Sequence, residues 1–119
     1  MNYIWVFVGG GLGSMLRYFI NSFMIKYNYD FPLATLTANF LATIILGYFL
    51  ALSISGDVSE FKRALIMTGF CGGFSTFSTF SVENFQMFQQ GQYGYAIINI
   101  ILSVSVCLVG AFIGYRLGS

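Results

Sequence analysis

The sequence predicts an all-α integral membrane protein of four transmembrane helices, the third of them broken. Three observations carry this. The chain of 119 residues is 57% hydrophobic and only 8% charged, too apolar for a soluble domain of this size. Four apolar stretches, each close to the roughly 20 residues that cross about 30 Å of hydrocarbon, account for almost all of it. One of the four carries two adjacent glycines and a run of hydroxyl residues in its middle, where helix propensity is low.

The first stretch, Tyr3 to Ile25, lacks the basic start of a signal peptide and has Arg17 embedded in it, so it reads as a retained span. Gly9, Gly10, Gly11 and Gly13 mark a face where another backbone can approach. The second stretch runs from Pro32 to Ile54, and Pro32 suits a first helical turn because its missing N–H would be unpaired there anyway. Asp57, followed three residues later by Glu60, resembles a capping pair opening the third stretch, Phe61 to Phe88. The fourth, Tyr95 to Leu117, carries Gly110, Gly114 and Gly118 at four-residue spacing, a second packing face. The connections Lys26 to Phe31, Ser55 to Glu60 and Gln89 to Gly94 are short and mostly polar or glycine-containing, which makes consecutive helices hairpin neighbours. Lys62, Arg63 and Arg116 then face one compartment and Lys26 the other, an excess small enough to leave both directions of insertion open.

Composition also removes whole classes of function. With a net charge of +1 and no basic cluster, nucleic acid is not an expected partner. There is no nucleotide-binding motif. The absence of histidine, and acids that do not cluster, leave neither a transition-metal site nor a histidine-based catalytic triad. Cys71 and Cys107 lie far apart in apolar stretches without a C-x-x-C pattern. No enzyme is expected.

The chemistry concentrates in Gly69-Phe70-Cys71-Gly72-Gly73-Phe74-Ser75-Thr76-Phe77-Ser78-Thr79-Phe80-Ser81. An unwound turn is expected near Gly72 to Ser75, with freed carbonyls facing a cation; the alternative is a continuous helix whose hydroxyls bond back to their own carbonyls. Phe74, Phe77 and Phe80 recur every third residue with Ser78, Thr79 and Ser81 between them. Such a stripe ordinarily packs. Ring edges carry positive charge, however, so edge-on rings beside hydroxyl donors also suit an anion path. Arg17, Thr35, Thr37, Asn39, Thr43, Glu83, Asn99, Ser103 and Ser105 are the other polar residues at membrane depth. Each needs a partner. Asn99, Ser103 and Cys107 share one helix face at four-residue spacing, and interhelical hydrogen bonding competes with a pore role for Asn39 and Ser103.

Residues 69 to 80, together with Gly-Gly-Gly-Leu-Gly-Ser-Met-Leu-Arg-Tyr (9 to 18) and Thr-Leu-Thr-Ala-Asn-Phe (35 to 40), resemble the signature elements of the Fluc (CrcB-type) fluoride channel family, over essentially the whole chain. The resemblance implies an antiparallel, dual-topology homodimer in the bacterial plasma or inner membrane, with two fluoride pores and a central structural Na+. By position it implies Phe77 and Phe80 as pore phenylalanines, Asn39 as the pore amide, and Ser78, Thr79, Ser103 and, more weakly, Asn99 along a polar track. It implies likewise that Gly72 and Ser75 offer backbone carbonyls to Na+ and that Arg17 lies near a vestibule or subunit contact. The sequence departs from the family pattern at Ser75 (usually Thr), Ala42 (usually Gly), Asn99 (commonly Tyr) and Cys107 (where Ser occurs). Two rivals remain on the sequence. A small multidrug exporter shares the four spans but needs a membrane-embedded carboxylate, for which only Glu83 is available. A structural subunit would use the Phe/Ser/Thr run purely for packing.

Overall fold

The structure, a computed structural model, describes residues 2–25 and 32–119. Its elements in chain order are α1 (Asn2–Ile25), α2 (Leu33–Ile54), a third span built of pieces, and α6 (Tyr93–Gly118). The third span consists of a single turn α3 (Glu60–Lys62), a π-helical segment (Arg63–Phe70), a short α4 (Cys71–Phe74), two extended residues, and α5 (Phe77–Gln89). There is no strand among the described residues, and four helices are long and apolar enough to cross a membrane. The expected four-span, broken-helix architecture is therefore present. The connection Lys26 to Phe31, and with it Lys26, lies outside the described residues.

Helix ends follow local chemistry. α2 and α5 both close on a glycine in the left-handed region, Gly56 (φ 81°) and Gly91 (φ 78°). In each case the glycine N–H and the next N–H reach back to carbonyls of the last turn, Ser53 and Leu52 for the first, Phe88 and Met87 for the second. A β-carbon at either glycine would be strained. Pro32 caps α2 from just outside it instead of entering the first turn. The third span is capped by Ser59, whose hydroxyl accepts from the Lys62 N–H at 3.3 Å, and not by Asp57, which is taken up in the turn after α2.

The glycine faces are packing seams within one chain. A β-carbon at Gly9 would strike the Leu65 carbonyl, and one at Gly13 the Phe70 carbonyl, so α1 lies backbone to backbone against the π segment and α4. On the other side Gly114 meets the Ile44 carbonyl, Gly47 meets that of Ala111, and Gly110 touches Thr43 and Phe40. That joins α2 to α6. Ala38, Ala42 and Phe74 form the buried centre, with Phe70 and Ile20 against them. Ala42, the departure from glycine, fits because its methyl is part of this cluster. By contrast the outer faces of α1 and α6 leave Tyr3, Phe7, Phe19, Leu108 and Phe112 exposed, as lipid-facing residues are. α5 is covered chiefly by α6.

The π segment has no mark in the sequence. Its i→i+5 pattern ends where the Cys71 N–H reaches the Ile66 carbonyl, and Trp5 stacks edge-to-face on Phe61 (centroids 4.4 Å apart) at its beginning.

Candidate functional site at the helix break

The break falls at Ser75 (φ −86°, ψ 155°) and Thr76 (φ −152°, ψ 121°), two extended residues between α4 and α5. Gly72 and Gly73, expected inside the break, stay helical. Gly73 serves close approach, since a β-carbon there would strike the Gly10 carbonyl and Ser14 of α1 donates to the Gly73 carbonyl at 3.5 Å, whereas Gly72 has nothing within 4 Å of its would-be β-carbon. What opens the helix is capture of its backbone by side chains. Asn39 of α2 accepts the Thr76 N–H through Oδ1 at 2.8 Å and donates from Nδ2 to the Thr76 carbonyl at 3.4 Å. The Thr76 hydroxyl then caps α5 by accepting from the Thr79 N–H at 3.2 Å.

The carbonyls follow. In an unbroken helix Thr76 N–H would go to Gly72 and Thr79 N–H to Ser75. Both are diverted, so the carbonyls of Gly72 and Ser75 are released from helical pairing. Neutral oxygen ligands of this kind suit a hard cation such as Na+, and no cluster of His, Cys, Asp or Glu among the described residues offers a competing site.

A groove of about 280 Å³ runs beside the break, lined by Asn39, Ser75, Phe77, Phe80, Ser103 and Cys107, among others. The Phe77 and Phe80 rings lie 5.7 Å apart at 40°, and Phe77 is 79% exposed. Four expected pore residues, Asn39, Phe77, Phe80 and Ser103, are thus brought together. Three hydroxyl protons on this groove are directed elsewhere, Thr43 to the Phe40 carbonyl at 2.7 Å, Ser75 to the Cys71 carbonyl at 2.7 Å, and Ser103 to Asn99 Oδ1 at 3.1 Å. The Phe77 and Phe80 rings and Asn39 border it together.

The remaining expected residues separate. Ser78 and Thr79 are exposed on another face of α5, where Thr79 joins Arg17, Ser14, Asn21, Thr35 and Glu83 around a second cavity of about 330 Å³. There Thr35 donates to Glu83 Oε2 at 3.0 Å, while the other carboxylate oxygen is buried without a partner among the described residues. Arg17 lines this cavity and not the groove. Asn99 is 1% exposed and lines neither; it donates to Asn84 Oδ1 at 2.9 Å. Asn84, which in turn donates to the Phe80 carbonyl at 3.0 Å, is absent from the sequence-based set. Its signal was available, an amide four residues after Phe80 in an apolar span. So was that of Thr76, a hydroxyl residue immediately before Phe77.

The CrcB-like protein, Camphor Resistance (CrcB) family model matches residues 4–115. The "Fluoride-specific ion channel FluC" of Pyrococcus abyssi is 44% identical over 111 residues, covering 92% of this chain and 89% of that relative. The protein of the same name from Pyrococcus furiosus is 42% identical over 113 residues (94% and 91%), and that of Coxiella burnetii is 35% identical over 122 residues (99% and 98%). Matched by the family model over nearly its full length, and similar end to end to proteins named as ion channels and not as enzymes, this chain belongs to the CrcB-like family.

Proposed function

We propose that the chain is a fluoride-selective channel that lets the anion leave the cytoplasm passively and so relieves its toxicity. The observation that carries the reading is the Phe77–Phe80 ring pair set against the Asn39-held break, in a chain whose relatives are named for fluoride. In acidic surroundings fluoride is protonated and crosses the membrane as neutral HF, and near neutral pH inside it is held as the anion. A negative-inside potential then favours its exit by about 2.3 kcal/mol per charge at 100 mV, without ATP. Ring edges attract an anion without the deep well that a buried lysine would create.

The conducting form is an antiparallel, dual-topology homodimer in the plasma membrane, the inner membrane of a two-membraned cell. Support comes from the open side of the groove, where the exposed Phe77 and the polar groups behind it would otherwise meet lipid. The three-to-one distribution of cationic ends is a small enough excess to be compatible with insertion both ways. A structural Na+ fits the released carbonyls of Gly72 and Ser75, where it would supply positive charge to hold the two helix breaks together.

Fluoride efflux from proteoliposomes, followed with a fluoride electrode beside a chloride control, tests this. Wild type is expected to release fluoride rapidly and chloride far more slowly, and Phe80→Ile to release fluoride at least about fivefold more slowly, since one lost ring-edge contact is worth around 1 kcal/mol or more. Efflux should persist with no proton gradient; a requirement for one would favour an exporter. A further expectation concerns the cysteines. Cys107 borders the groove and is partly exposed, whereas Cys71 is 2% exposed. A small thiol reagent should therefore block efflux, Cys107→Ala should abolish the block, and Cys71→Ala should leave it in place.

A further inference from the structure

Asn84, Asn99 and Ser103 are buried polar side chains where α5 meets α6, and one backbone group fixes the direction of every hydrogen bond among them. The Phe80 carbonyl can only accept, so the Asn84 atom 3.0 Å from it is the amide nitrogen. Asn84 Oδ1 must then accept, which turns the Asn99 nitrogen toward it at 2.9 Å. Asn99 Oδ1 is left facing Ser103, and at 3.1 Å it takes the hydroxyl proton. A serine has one proton to give. Ser103 borders the groove and therefore presents lone pairs to it.

From this one-way chain, and resting on the fluoride reading above, we infer that Asn84 and Asn99 are positioning residues for permeation. They hold Ser103 as an acceptor, so that it takes a hydrogen bond from water travelling with the ion and gives none to the anion. A free hydroxyl beside the rings would be a charge-assisted donor to fluoride. It would deepen one station on a path that conducts only while each station stays shallow.

The test is fluoride efflux from proteoliposomes over a range of fluoride concentrations, for wild type, Ser103→Ala, Asn99→Leu and the double variant. Leucine neither donates nor accepts, so Asn99→Leu frees the Ser103 proton. Maximal efflux is expected to fall by about tenfold or more, and the half-saturating fluoride concentration to fall with it, as a trapped ion requires. Adding Ser103→Ala removes the new donor and should return efflux to the level of Ser103→Ala alone. A double variant no faster than Asn99→Leu, or an unmoved half-saturation, overturns the inference, because a purely structural Asn99 would not be rescued by losing its neighbour's hydroxyl. Asn99→Leu strands the Asn84 amide, so the series is repeated on Asn84→Leu/Asn99→Leu, which leaves no unpaired amide there; the same rescue is required of it. Wild type without fluoride efflux would defeat the channel reading itself, before any variant is compared.

Discussion

Asn39→Leu should abolish fluoride efflux in a chain that still folds as a membrane bundle. The amide holds both polar groups of the Thr76 peptide unit, accepting the N–H at 2.8 Å and donating to the carbonyl at 3.4 Å. Without it each group is stranded at membrane depth, at a cost of roughly 1–3 kcal/mol apiece. A cheaper arrangement exists. The Thr76 N–H can return to the Gly72 carbonyl and the third span can wind through. Two residues then pass from about 3.3 Å to about 1.5 Å of rise each, drawing α5 toward α4 and turning it about its axis. Phe77 and Phe80 leave the groove together, and efflux should fall by about a hundredfold or more. Hydrogen exchange of the Thr76 to Thr79 amides would report the rewinding directly. Undiminished efflux from folded Asn39→Leu would mean that something else keeps the break open.

Gly114→Val is the second large effect, and it falls on stability. A β-carbon there meets the Ile44 carbonyl and the Tyr48 nitrogen, both backbone, so no side chain can swing aside. α2 and α6 would have to part along the seam that also includes Gly47 and Gly110. Between helices in lipid that contact is mostly dispersion, which falls away within an ångström. A loss of about 3 kcal/mol or more is expected, seen as unfolding at lower temperature in detergent and as aggregate on size exclusion. Gly11 supplies the control, having nothing within 4 Å of its would-be β-carbon. Gly11→Ala should be neutral or stabilising by up to about 1 kcal/mol. Equal damage from both substitutions would remove the seam as the cause.

The spans were legible because runs of apolar residues leave a chain this short no other fold. The break was legible as a region and displaced in detail. Gly72 and Gly73 weaken a helix, yet weakness does not decide where it opens; the Asn39 amide and the Thr76 hydroxyl do, and both act across space or through a cap. Ser78 and Thr79 interleave with the phenylalanines in sequence, but each step along a helix turns about 100°, which carries them to the Glu83 side. Asn99, Ser103 and Cys107 do share a face of α6. Asn99 is nonetheless shut in against Asn84, while Ser103 and Cys107 border the groove with Phe77 and Phe80. The π segment was illegible, since its extra width reflects how Arg63–Phe70 fits against α1 and no residue type announces it.

At the two extended residues the carbonyl end of one helix faces the amide end of another. Aligned peptide dipoles place roughly half a negative elementary charge at the first and half a positive one at the second. The macrodipoles thus put opposite poles within a few ångströms of each other at membrane depth, one suited to a cation and one to an anion. Neither pole carries an exchangeable charge, and the chain has no histidine to add one. The two poles at the break are consequently written in peptide groups that do not themselves titrate.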